Sequence, residues 1–156
     1  MQPLVLGSTS PYRRQLLEKL ALTFVAAAPD CDERARTGEA PAALVERLSE
    51  AKARSVAEQY PDGLIIGSDQ VAVLDDSIVG KPHDRAAAMA QLRAASGRTV
   101  RFLTGLCLYN AATDRAQRSV EPFSVAFREL EDDEIERYLD HEAPYDCAGS
   151  FRSEGY

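Results

Sequence analysis

Residues 4–20 read LVLGSTSPYRRQLLEKL. Leu4, Val5 and Leu6 form a short apolar run suited to a buried strand, and Leu16, Leu17 and Leu20 recur at helical spacing. Only the residues between them make the turn, so the chain passes almost directly from strand to helix, the unit from which α/β sheets are built. That turn carries Ser8, Thr9, Ser10, Pro11, Tyr12, Arg13 and Arg14. A helix N-terminus offers unpaired backbone N–H groups and the positive end of a dipole, a combination that suits phosphate. Ser8, Thr9 and Ser10 add hydroxyl donors, and Pro11 presets the first helical φ without using an N–H. At 100° per residue Arg13 falls within the arc of Leu16, Leu17 and Leu20, which aims it at the sheet, and Arg14 lies at the edge of that arc. An inward arginine needs a carboxylate or a phosphate. The alternative is a serine cap followed by two arginines that snorkel to solvent.

Working outward, strand one is placed at 3–7 and helix one at 11–20. LTFVAAA (22–28) is a second strand, followed by the acidic loop PDCDERARTGEAP. Pro41 opens a helix that runs to about Tyr60. GLIIGSDQVAVLDDSIVGKP holds a buried strand at 64–67 and a hairpin around Asp75–Asp76. Asp84 caps an alanine-rich helix. RTVRFLTGLCLYN and RSVEPFSVAFREL are two long strands joined by NAATDR, and Asp132 and Asp133 open a fourth helix that ends near Glu142. Early alternation of strand and helix followed by a long hairpin predicts an α/β domain with a mixed central sheet flanked by helices. The chain stops at SFRSEGY with no closing element. A single domain over 1–156 lacking its C-terminal elements is therefore expected.

Two further segments carry chemistry. Val45, Leu48 and Val56 define an apolar helical face, and Lys52 stands in the same row. Such a lysine either snorkels outward or reaches a site at the sheet edge. In LIIGSDQ, Ser68, Asp69 and Gln70 follow a buried strand directly, the place where open α/β sheets bind ligands. Asp69 can be a turn residue, a metal ligand or a general base. Lys81 in GKP comes shortly after, and Glu33 in DCDER is a second candidate carboxylate. Together these point to a polyphosphate, a divalent metal and a carboxylate.

Composition narrows the partners. The 156 residues carry a net charge of −7 with scattered cations, which argues against a nucleic-acid polymer. A small polyanion remains possible if cations or a metal gather locally. No signal peptide or membrane span is read. Cys31, Cys107 and Cys147 are odd in number and make no CxxC pair, which fits buried or half-buried thiols in a reducing cytoplasm. His83 and His141 make no metal-ligand pattern and are read as surface residues.

STSPYRRQLLEKL, PDCDE, LSEAKA, LIIGSDQV with GKP, and CAGSFRSEG occur in the order seen in Maf-family nucleoside triphosphate pyrophosphatases. The chain resembles that family over essentially its whole length. Within it, the aromatic residue after S-x-S-P, the Gln after the Asp and the late S-E-G resemble the subgroup acting on 7-methyl-GTP. The resemblance implies a Maf/inosine-triphosphate-pyrophosphatase-like fold and metal-dependent hydrolysis (Mg or Mn) of a nucleoside triphosphate to the monophosphate and pyrophosphate. It also implies a cytoplasmic location and, in many members, a homodimer. It makes Asp69 the proton acceptor and Tyr12, Gln70 and Glu154 the specificity positions. Ser8, Arg13, Glu33, Lys52 and Lys81 form its polar site. With Ser10 and Arg14 added at the turn, the cations and hydroxyls would bind the triphosphate while Glu33 and Asp69 hold the metal. The alternatives are a nucleotide-binding regulator of cell division without turnover, a dTTP/UTP-type pyrophosphatase, and a phosphatase that releases single phosphates.

Overall fold

The structure, a computed structural model, describes residues 2–143 and residue 149. In chain order the elements are β1 (Leu4–Gly7), α1 (Pro11–Glu18), β2 (Val25–Ala27), α2 (Pro41–Ala57), β3 (Leu64–Leu74), β4 (Ser77–Val79), α3 (Arg85–Ala95), β5 (Thr99–Asn110), β6 (Arg115–Ala126) and α4 (Asp132–Glu142). The strands form one mixed sheet in the order β2-β1-β3-β5-β6, with β4 added to β3. The expected α/β class with a mixed sheet and four helices is what the chain adopts. The chain divides into two compact units, residues 1–69 with 104–121, and residues 70–103 with 122–156.

In the first unit β1 runs parallel to β2 on one side (Val5 opposite Val25) and parallel to β3 on the other (Leu4 opposite Leu64, Leu6 opposite Ile66). The chain therefore leaves β1 toward one neighbour and returns on the opposite side, a switch point at which ligands bind in open α/β sheets. Pro41 stands at the first helical position of α2, and Leu44, Val45, Leu48, Ser49, Lys52, Ala53 and Val56 are buried at three- and four-residue intervals. Tyr60-Pro61 prevents any further helix. Val5, Ala53, Val56, Ile65, Cys107 and Tyr109 make the core of this unit. Each large apolar side chain so buried contributes about 1.5–3 kcal/mol.

Gly67 and Gly105 set how closely α2 lies on the strands. A Cβ on Gly67 would overlap the Ser49 carbonyl oxygen and stand 2.9 Å from the Ala53 nitrogen, and one on Gly105 would overlap Val45 and the Ser49 hydroxyl. Helix backbone therefore comes close to strand backbone at both positions, with only the small Ser49 and Ala53 side chains beside the contacts.

In the second unit Asp75 and Asp76 both adopt positive φ (52° and 64°) and join β3 to antiparallel β4 with Leu74 opposite Ser77. Positive φ at both central residues defines the tight hairpin turn expected there. Asp84 caps α3 by accepting the Ala87 N–H at 2.8 Å. Glu131 and Glu134 close a reciprocal capping box on α4. Adjacent β5 and β6 are joined by four residues, which only an antiparallel pair allows. Phe102 and Phe123, each eight residues from the turn, stack at 4.9 Å between ring centroids. Ala88, Leu92, Ile135 and Leu139 lock α3 to α4.

Five sequence expectations change. β2 is confined to Val25–Ala27 within the expected 22–28, and α2 ends at Ala57 rather than near Tyr60, because Gln59 and Tyr60 close i→i+3 turns onto Val56 and Ala57. α1 ends at Glu18, because Leu20 and Ala21 close i→i+3 turns onto Leu17 and Glu18 and Ala21 turns left-handed at φ 55°. β6 begins at Arg115 rather than at 118, so the connection is shorter than NAATDR. β3 does not stop at 67 but continues to Leu74, carried by the apolar run Val71–Leu74.

Candidate functional site

β1 ends at Gly7 and pairs with β3 only as far as Ile66, although β3 runs on. Ser68 and Asp69 thus lie inside a strand, not in the loop expected from the sequence. They still lie beyond the carboxyl end of β1, at the switch point. Ser68 is buried and donates its hydroxyl to the Gly105 carbonyl at 2.7 Å, which ties it to the sheet. Asp69 has a side chain only 13% exposed, and its Oδ1 accepts from Lys52 Nζ at 3.0 Å.

Lys52 does not snorkel. Leu48 and Val56 on the same helical row are buried, and the lysine side chain is 9% exposed. Its Nζ also meets Glu33 Oε1 at 2.9 Å. One ammonium therefore holds two carboxylates, one on a strand and one on the loop before α2. This arrangement satisfies a buried cation that would be costly alone. Cys31 is half-buried beside this group. Burial raises its thiol pKa, the Lys52 charge opposes that shift, and Glu33 and Asp69 reinforce it.

The turn after β1 is organised by its own hydroxyls. Ser8 is buried and its Oγ accepts the Ser10 N–H at 3.0 Å. Ser10 is the N-cap of α1 and its Oγ accepts the Arg13 N–H at 3.3 Å. Arg13 is not placed by a buried leucine arc: α1 buries no residue fully, and Leu16 and Leu20 are 48% and 63% exposed. The half-buried side of α1 is Tyr12, Arg13 and Leu17. Arg14 is turned elsewhere, pairing with Glu18 at 3.3 Å and lying 5.9 Å over the Phe24 ring. Gln70 (half-buried) and Lys81 (exposed) belong to the second unit. Glu154 and Cys147 lie outside the described residues, and His83 and His141 are exposed.

One pair had no sequence signal. Arg47, one turn and a half before Lys52 on α2, grips the Glu39 carboxylate with Nε at 2.7 Å and Nη2 at 2.8 Å. Their side chains are 23% and 10% exposed. Arg47, helped by the Arg36 backbone N–H, pulls the Glu39 carboxyl down to about 2 from its ordinary 4.5. A depressed carboxyl contributes its stability fully above its unfolded value and loses it as pH falls through the folded one. Glu39→Gln is therefore expected to flatten the acid limb of a stability–pH curve between pH 4.5 and about 2. Denaturant titrations of both proteins across that window test it, and parallel curves would refute it.

A mixed α/β sheet with a polar turn and a lysine-bridged carboxylate pair at its switch point is the architecture of a small-ligand α/β protein. The family model for Maf-like proteins matches residues 3–156, and the chain belongs to the Maf family. A chain from Alcanivorax borkumensis named 7-methyl-GTP pyrophosphatase is 57% identical over 152 residues, 97% of this chain and 77% of that one. Chains of the same name from Pseudomonas aeruginosa and Colwellia psychrerythraea are 55% and 52% identical over 155 residues, covering 99% of this chain and 81% and 78% of theirs.

Proposed function

We propose that this chain hydrolyses 7-methyl-GTP to the nucleoside monophosphate and pyrophosphate. The observation that carries the chemistry is the buried Lys52 ammonium held between Glu33 and Asp69 at the switch point. The substrate rests on the names borne by relatives at 52–57% identity. The N-terminus of α1, Ser8, Ser10 and Arg13 receive the phosphates, and Lys52 adds charge; Lys81 is a further candidate, while Arg14 stays with Glu18. Asp69 takes a proton from a water whose oxygen bonds to phosphorus at the α–β bridge. The bridge bond opens, and pyrophosphate leaves with the bonding pair.

Two carboxylates converging on one ammonium offer hard oxygen donors, which fit Mg²⁺ or Mn²⁺ bound with the help of substrate phosphates. Among the described residues no group of three or more His, Cys, Asp or Glu gathers to make a closed cage. Glu33 and Asp69 would hold such an ion, which supplies positive charge to the leaving pyrophosphate. Among the described residues no helix is long and apolar enough to cross a membrane, and the ligand class is a small nucleotide. Family membership makes a cytoplasmic location and a homodimer the expectation.

The test is a panel of 7-methyl-GTP, GTP, UTP and dTTP with Mg²⁺ or Mn²⁺, with products resolved by chromatography. Pyrophosphate from 7-methyl-GTP ahead of the others supports the reading. Orthophosphate marks a phosphatase, and binding without product marks a regulator.

Base recognition gives a finer expectation. N7-methylation makes guanine cationic, and a cationic ring gains from an aromatic face. Half-buried Tyr12, on the same side of α1 as Arg13, is the candidate platform, with Gln70 and Glu154 as hydrogen-bonding partners. Tyr12→Ala is expected to lose roughly 1–2 kcal/mol more in kcat/KM on 7-methyl-GTP than on UTP. Equal losses on both nucleotides would remove Tyr12 from base recognition.

A further inference from the structure

The loop that carries Glu33 has few apolar anchors of its own, since residues 32–38 are all exposed. It is nevertheless fastened to α2 at two points, one on each side of Lys52 along the helix. On the C-terminal side of Lys52, the Asp30 N–H donates to Ser55 Oγ at 3.1 Å, and Ser55 donates in turn to the Lys52 carbonyl at 2.8 Å. On its N-terminal side, Arg47 Nη2 donates to the Arg34 carbonyl at 3.0 Å while the same guanidinium grips Glu39. Glu39 Oε1 also accepts the Arg36 N–H at 3.0 Å. Between the fastenings, Asp32 Oδ1 accepts the Arg34 N–H at 3.0 Å and closes a small ring around Glu33.

We propose that Arg47 is a positioning residue for the hydrolysis, pinning the 31–39 loop to α2 and thereby fixing where Glu33 stands against Lys52 and Asp69. This rests on the reading of Glu33 as part of the site. The role needs arginine. A guanidinium reaches two carboxylate oxygens and a carbonyl in one plane, whereas a lysine ammonium can satisfy only part of that set. Arg47 touches no reacting atom; it acts through the backbone at Arg34, the residue after Glu33.

The test compares wild type, Arg47→Met and the milder Arg47→Lys, each also in a Glu33→Gln background. Hydrogen exchange on the 31–39 segment reads the clamp itself, without substrate. Exchange there should rise in Arg47→Met, less in Arg47→Lys, with β1 and β3 unchanged. The divalent-metal concentration for half-maximal turnover should rise ~10-fold in Arg47→Met, the usual cost of removing a group that orients a ligand. In the Glu33→Gln background the same substitution should cost less than ~2-fold, because the two act as one unit. Unchanged exchange at 31–39 would overturn the clamp. A full, additive penalty in the Glu33→Gln background would overturn its action through Glu33. A wild type that releases no pyrophosphate refutes the parent reading, and this one with it, before any variant is compared.

Discussion

Asp69→Asn is expected to lower turnover by at least ~10²-fold while the nucleotide still binds. The loss of a positioned general base typically costs 10²–10⁴ in rate. Asparagine keeps the shape and can still accept from Lys52 Nζ, so the fold and the 3.0 Å contact have no steric reason to change. It cannot hold a proton at neutral pH, and it removes one of the two negative charges facing Lys52. The phosphate turn at Ser8–Arg13 is untouched. Pyrophosphate release measured beside nucleotide binding separates the two consequences. Near-normal turnover in the variant would exclude Asp69 from the chemistry.

Gly67→Ala and Gly105→Ala are expected to be the most damaging conservative changes in the first unit. In each case the new methyl meets backbone, the Ser49 carbonyl for Gly67 and the Val45 carbonyl for Gly105, so rotamer changes cannot relieve it. Overpacking usually costs 1–3 kcal/mol; with backbone as the obstacle we expect about 3 kcal/mol or more. For a chain of this size that lowers Tm by about 6–12 °C. Because Lys52 lies between the Ser49–Ala53 contacts that Gly67 permits, Gly67→Ala should also part Lys52 from Asp69 and reduce activity beyond the loss of folded protein. Calorimetry with activity measured well below Tm tests both. A variant as stable as wild type would mean that α2 can ride outward at no cost.

Lys52 was legible because burial of a helical face is periodic, and Leu48 and Val56 bracket it on the same row. Asp69 stood out in the sequence as a carboxylate directly after a buried apolar run, but it was misplaced as structure. Nothing in VAVL breaks a strand, so β3 runs past it, and the site arises because β1 stops early. The inward arc proposed for Arg13 failed because periodicity gives the side of a helix and not what covers it. Glu39 and Arg47 are eight residues apart across a loop and a helix start, a spacing with no period. Gly67 and Gly105 look like ordinary strand glycines until the height of α2 above the strands is known.

The shared ammonium also sets an order of events. Of its two carboxylates, Asp69 is strand-borne and 13% exposed, while Glu33 is loop-borne and 61% exposed. On the proposed reading, a phosphate arriving at Lys52 would compete first with Glu33, the partner that water can most cheaply resolvate, while the strand-borne Asp69 would keep its place.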